Sequence, residues 1–469
     1  MQKDFFKHSA IYTLAVFFNR GVAFLLLPIT THYLHPNDYG ILDFITVAGS
    51  FVAIFCGIEL YQGMARYLAD SQDFKDKRVL FSSTISYIIF AYSIFIILTN
   101  ILHSYTYKYI VPINGNQLFN CVLLIYLFQG INVYFTTLLR FELKPQKTVI
   151  LDTVPGFINI IFNVLFIIVL HLELTGALLA SLLASITGTI IGIYFVKDYL
   201  TINIDIKKVR SLILFCMPLV VSALSSIIMN YSDRIMLKNI LSLSDLGIFG
   251  VGYRFASIIA IFMSGISVSI YPLIYKSMNN IEFKAEFSKL ASKFFIISIL
   301  VIMLINIFAE DVIHLMVAKD FYNAVITLHF MSIAIFFSQL YIFTPGLHIN
   351  KRLNGILLLN LFGGSLNLIL CYFLISTIGL NGASIATMIS NIALFLLYLF
   401  FSQKQIYFDF EYKKILANIT VVVIFSLCSI LLINNSLLLK LISTIVFITL
   451  YLLANNLFRK SAWSIQSKS

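Results

Sequence analysis

The chain has 469 residues, of which 60% are hydrophobic and 11% charged, with a formal net charge of +11. Soluble domains run at roughly 45–50% apolar and 25% charged residues, so a soluble enzyme or binding module is excluded and the chain must live in lipid. The basic residues are not gathered into one arm or stripe, which argues against a nucleic-acid partner.

Taken in chain order, apolar stretches place spans near 9–33, 41–64, 79–102, 118–139, 149–170, 174–196, 211–232, 246–272, 290–314, 324–347, 354–376, 380–402, 414–433 and 437–458. Stretches of about 20 residues cross a hydrocarbon core of roughly 30 Å as helices. The alternation a membrane barrel needs is missing, so the fold expected is an all-α membrane protein of about 14 transmembrane helices. Asn19 and Arg20 interrupt the first stretch and no small-residue cleavage site follows, so it reads as a retained span rather than a leader.

Lys and Arg collect on alternate connections: Lys3 and Lys7, then Arg66, Lys75, Lys77 and Arg78, then Arg140, Lys144 and Lys147, and so on to Arg459, Lys460 and Lys468. The positive-inside rule then puts both termini in the cytoplasm. The five cysteines, Cys56, Cys121, Cys216, Cys371 and Cys428, sit in apolar stretches without ligand spacing, and the eight histidines are scattered. Neither a disulfide framework nor a metal site nor a cofactor is expected.

The chain is duplicated. Leu34, Asp38, Gly40 and Ile41 return as Leu241, Asp245, Gly247 and Ile248; Asn163 returns as Asn367; Gly176, Ala177 and Ala180 return as Gly382, Ala383 and Ala386. This divides the chain into an N-terminal lobe (1–200, spans 1–6), a C-terminal lobe (201–403, spans 7–12) and two additional spans (404–469). Six spans per repeat is an even number, so the repeats run parallel, related by an axis along the membrane normal. Repeated halves in a polytopic protein point to a transporter whose site lies between them.

The segment Thr31-His-Tyr-Leu-His-Pro-Asn-Asp-Tyr-Gly40-Ile resembles the first outer loop of polysaccharide-unit flippases, which share an exporter superfamily with multidrug and toxic-compound extruders. Tyr231-Ser-Asp-Arg-Ile-Met-Leu and Leu246-Gly-Ile-Phe-Gly-Val-Gly-Tyr-Arg254 resemble that branch too. The resemblance implies a V-shaped, two-lobed bundle in the bacterial cytoplasmic membrane. Its central cavity would pass an undecaprenyl-pyrophosphate-linked oligosaccharide to the outer leaflet for O-antigen or capsule synthesis, with a polysaccharide polymerase as a further partner. Flippases of the peptidoglycan-precursor branch carry several arginines in the first two spans, whereas this chain has Arg20 in span 1 and only Arg66 at the inner end of span 2. That branch and a cation-coupled multidrug exporter are the alternative readings. No enzyme is expected, because the outer connections are short and chemically poor.

Arg20 and Arg254 fall near mid-membrane. A guanidinium there costs at least about 2.5–3.5 kcal/mol unless it meets water or a partner. Both are therefore expected to face a cavity and hold a diphosphate, which a guanidinium fork can engage bidentately; the other reading pairs Arg254 with Glu59 or Asp152. Glu59, Gln62, Gly63 and Arg66 share one helical face, as do Gln129, Asn132, Thr136 and Arg140. Arg66 and Arg140 are read as an inner mouth or as topology determinants.

Asp152, Gly156, Asn159 and Asn163 form a third polar face, related to Asn360, Gly363, Gly364 and Asn367. Asn159, Asn163 and Asn367 are candidates for sugar contacts or for bonds between helices. Glu59 and Asp152 are the candidates for coupling to Na⁺ or H⁺. Asp233 and Arg234 are expected to form a local ion pair at the outer gate, and Pro218 to bend the helix that carries them.

Overall fold

The computed structural model describes residues 26–71, 73–110, 116–260, 281–349, 353–411 and 437–455, with isolated positions at 21, 24, 263, 415, 417, 418, 420, 421 and 424. Within them the long elements are α1 (Pro36–Gly57), α2 (Leu60–Asp70), α3 (Phe74–Ile101), α4 (Asn116–Phe141), α5 (Pro145–Asn163), α6 (Glu173–Val196) and α7 (Ile206–Ile240). They continue with α8 (Leu243–Ala256), α9 (Ile281–Ile307), α10 (Ala324–Gln339), α11 (Leu353–Ile378), α12 (Leu380–Gln405) and α13 (Leu437–Ala454). Among the described residues eleven helices are long and apolar enough to cross a membrane, so the protein is an all-α, multi-pass membrane protein. Most of the expected spans 1 and 13, and the second half of span 8, lie outside the described residues.

The duplicated segment forms the start of a helix in both repeats. Pro36 opens α1 with Asp38 in its first turn. Ser242 caps α8, its hydroxyl accepting from the Asp245 backbone N–H at 3.1 Å. A proline or hydroxyl at the entry and a carboxylate in the first turn both complement unpaired N–H groups there.

Two regions depart from the expected spans. Span 2 is broken: Ile58 (φ 47°) and Glu59 (φ 54°) are both left-handed, which ends α1 and starts α2. The apolar run 41–64 hides this break because hydropathy does not register backbone sign. Span 9 likewise ends at Ile307 and resumes as the short helix Ala309–Met316.

Helix α6 packs on both α4 and α5, and α12 likewise packs on both α10 and α11. In both repeats the contact is lined by small residues: Gly176, Ala177, Ala180, Ala184, Gly188 and Gly192 are buried on α6, and Gly382, Ala383, Ala386 and Ser390 on α12. Without a hydrophobic driving force between helices in lipid, small side chains let backbones approach and gain dispersion contacts. One apolar core runs through both repeats, from Leu27 to Phe410.

The lysine-rich end is held by polar contacts around 197–205, the connection between α6 and α7. Lys77 pairs with Glu142 at 2.9 Å, and the Tyr199 hydroxyl donates to the same carboxylate at 2.7 Å. Arg78 donates to the Leu200 carbonyl and Lys208 pairs with Asp76 at 3.0 Å. Asp205 caps α7 by accepting from the N–H groups of Lys207 and Lys208.

Candidate functional site: two repeat-related cavities and a buried ion cluster

The larger cavity, about 530 Å³, lies among α4, α5 and α6 and is reached by Tyr61 of α2. The polar faces of α4 and α5 meet across it: Gln129, Asn132, Thr136 and Arg140 on one side, Asp152, Gly156 and Asn159 on the other. Arg140 pairs with Asp152 at 3.1 Å, and the Thr136 hydroxyl donates to the second carboxylate oxygen at 3.2 Å. The Arg140 side chain is 54% exposed and that of Asp152 22% exposed, and among the described residues the remaining guanidinium donors of Arg140 have no partner. Asn132 is fixed by α6, donating to the Ser185 carbonyl at 3.1 Å and accepting from Thr189 at 3.2 Å. Pro155 within α5 deprives the Leu151 carbonyl of its usual donor one turn on, which leaves another acceptor at the wall.

A second cavity, about 240 Å³, lies among α10, α11 and α12 with Met229 of α7. It occupies the corresponding place in the other repeat. Asn360 stands ahead of Asn367 as Gly156 stands ahead of Asn163, and Asn391 follows Gly382 as Ser185 follows Gly176.

The third feature is a buried ion cluster that joins the two repeats. Arg234 on α7 donates through Nε to Asp43 of α1 at 3.0 Å and through Nη1 to Asp233 at 3.2 Å; its side chain is 4% exposed. The guanidinium also lies 4.2 Å from the centre of the Tyr253 ring. Asp233 accepts from Thr387 at 3.3 Å, Thr387 accepts from Asn367 at 3.2 Å, and Asn367 accepts from Ser232. The Asp233–Arg234 contact expected from sequence is thus part of a three-charge cluster. Asp43 was missed, although a carboxylate inside an apolar run was itself the signal, since such a group is rarely without a partner.

The remaining candidates are spread apart. Arg254 lies 4.9 Å from the centre of the Tyr39 ring and lines neither cavity. Neither carboxylate considered for it is its ion-pair partner: Asp152 is held by Arg140, and Glu59 accepts from Gln62. Glu59 is buried at the α1–α2 break. Arg66 is exposed and paired with Asp70 one turn on. Asn163 is buried and donates to Asn159, while Asn367 belongs to the cluster above. Arg20 lies outside the described residues. Among the described residues no group of three His, Cys, Asp or Glu is placed to hold a metal ion.

No curated protein matches the sequence significantly. Solved structures do match in fold. A lipid II flippase, MurJ, in an inward closed conformation has a TM-score of 0.75 at 17% identity, covering 96% of this chain and 98% of its own. An inward-facing multidrug resistance transporter of the MATE family and MOP superfamily has a TM-score of 0.67 at 15% identity, covering 85% and 95%. An outward-facing transporter of that family has a TM-score of 0.57 at 17% identity, covering 88% and 96%. The chain therefore shares the fold of these transporters. Its residues 5–278, more than half its length, match the family of polysaccharide biosynthesis proteins, and the chain belongs to that family.

Proposed function

We propose that the protein is an alternating-access flippase that carries an undecaprenyl-pyrophosphate-linked oligosaccharide across the bacterial cytoplasmic membrane for surface polysaccharide synthesis. The observation that carries this reading is the composition of the larger cavity. Its one carboxylate, Asp152, is already held by Arg140 and Thr136, while Gln129, Asn132 and Asn159 supply amides and Arg140 keeps exposed donors. A lining of this kind suits an anionic, hydroxyl-rich head; a cationic drug calls for unpaired carboxylates. Arg254 and Arg20 are assigned to the same anionic head at other stages of its passage. The polyprenyl tail stays in the bilayer, since only the head needs a wet path.

Coupling to Na⁺ or H⁺ is assigned to Glu59, buried where a helix is interrupted, because Asp152 already has a cation beside it. A second reading, transport of the peptidoglycan precursor, is favoured by the full-length likeness to the lipid II flippase. A multidrug exporter is the third, on the likeness to MATE transporters.

The test is reconstitution in vesicles, with translocation scored by protection of the glycan from an added glycosidase. Movement of undecaprenyl-diphosphate oligosaccharide, and at least about a tenfold slower rate for Arg140→Ala, is the expected result. Preference for lipid II would establish the second reading. Extrusion of a cationic dye without glycolipid movement would establish the third.

A further inference from the structure

The smaller cavity has no charged side chain in its wall. Four rings, Phe337, Tyr341, Phe395 and Tyr398, surround the amides Asn360 and Asn391. The Tyr398 hydroxyl donates to Asn360 Oδ1 at 2.8 Å, and Asn391 Nδ2 donates to the Ala334 carbonyl at 3.1 Å. Each bond uses half of an amide. Asn360 keeps its Nδ2 donors and Asn391 its Oδ1 acceptor, neither with a partner among the described residues.

The repeat-related wall differs in one decisive way. At the spacing where Asp152 precedes Asn163 in the first repeat, Ile356 precedes Asn367 in the second. The two repeats therefore share a cavity at this place, and only the first carries a carboxylate in it. What remains is a set of apolar ring faces with one donor group and one acceptor group fixed between them.

The chemistry of the wall narrows the occupant. A diphosphate or a uronate would find no cation. An acyl chain would leave the free halves of both amides against hydrocarbon, which is unfavourable for polar groups. A pyranose ring matches both parts, since its C–H faces pack on aromatic rings while its hydroxyls pair with the amides. We propose that this cavity holds one neutral or N-acetylated sugar ring of the transported glycan. The assignment rests on the glycolipid reading above and adds to it a selectivity: the ring held here carries no charge.

The test uses purified full-length protein in phosphatidylcholine nanodiscs and saturation-transfer NMR with three probes: a methyl hexoside, a methyl N-acetylhexosaminide and a methyl hexuronide. Saturation that Tyr341→Ala and Asn360→Leu diminish is expected on the first two, whereas saturation of the third belongs to the larger cavity and is lost in Arg140→Ala. Tyr341→Ala and Asn360→Leu should each weaken the first two signals about tenfold. Tyr341 is 39% exposed, so its loss leaves the helix packing in place. Hexuronide saturation that Tyr341→Ala and Asn360→Leu diminish, unchanged hexoside and N-acetylhexosaminide signals in both variants, or contacts to lipid acyl protons in place of the sugars would overturn the assignment. Glycolipid translocation in vesicles keeps the two readings apart. Wild-type protein that translocates without this sugar contact removes the subsite alone, whereas protein that never translocates the glycolipid removes the flippase reading.

Discussion

Gly40 and Gly247, the same position in the two repeats, lie back to back where α1 crosses α8. A methyl group built on Gly40 would collide with the Leu243 carbonyl, and one built on Gly247 with the Pro36 carbonyl. Pro36 and Leu243 are themselves related by the duplication, so the crossing is symmetric. Next to it Asp43 rests against Gly250 and reaches Arg234. The conserved feature of the repeated segment is thus a helix start followed by a glycine that lets the repeats close on each other.

Gly40→Ala and Gly247→Ala should each force this crossing apart, because the obstacle in both cases is backbone, which cannot rotate away. Val251 is fully buried beside it. In a background with the native cysteines replaced, Val251→Cys should resist a water-soluble maleimide and become reactive when either alanine is added. Unchanged protection in both double variants would show that the helices tolerate the methyl group.

Arg234→Ala should lower stability by about 3–5 kcal/mol, the cost of leaving buried carboxylates without their cation. Arg234→Lys should recover only part, since an ammonium lacks the planar fork that reaches Asp43 and Asp233 together. Thermal unfolding in detergent measures both. A wild-type midpoint for the alanine variant would mean that the cluster contributes nothing to the fold.

Tyr39 presents its ring to Arg254, yet its buried hydroxyl has no hydrogen-bond partner among the described residues. Tyr39→Phe keeps the ring and removes an unsatisfied polar atom, so stability should stay level or rise by about 1 kcal/mol. Tyr39→Leu loses the cation–π contact, worth about 0.5–2 kcal/mol. Transport should follow the same order if the ring positions Arg254, and Arg254→Lys should retain more transport than Arg254→Ala. Destabilisation by the phenylalanine variant would contradict the assignment.

Glu142 gives a pH signature outside the membrane spans. Burial raises the pKa of its carboxyl, but the bonds from Lys77 and Tyr199 outweigh that and hold it below the ordinary 4.5. A depressed folded value means that its stabilisation is present above the ordinary value and is lost as pH falls through the lower one. Glu142→Gln should therefore cost about 1–2 kcal/mol at neutral pH and flatten the acid limb of the stability profile. Parallel profiles for the two proteins would rule this out.

How much of this was legible depends on the kind of information each residue carries. The polar stripes of α4 and α5 could be read from spacing, because a helix fixes which residues share a face. Their union in one cavity, and the Arg140–Asp152 pair, depended on which helix stands opposite. Asn163 and Asn367 lay on the same stripes, yet both are buried, Asn163 donating to Asn159 one turn back and Asn367 accepting from Ser232 of α7. The break at Ile58 and Glu59 left no mark in hydropathy, since neither residue is glycine or proline.

Composition and periodicity determined that this chain is a helical membrane bundle, that it is duplicated, and where its basic connections fall, because those properties follow from lipid as solvent and from each helix's own axis. Only the tertiary structure decided that Gly40 meets Gly247, that Asp43 completes the Arg234 cluster, and that one repeat's cavity is charged and the other's aromatic. Partners across a helix interface are set by the packing of two surfaces against each other, and neither surface alone specifies the register at which they meet.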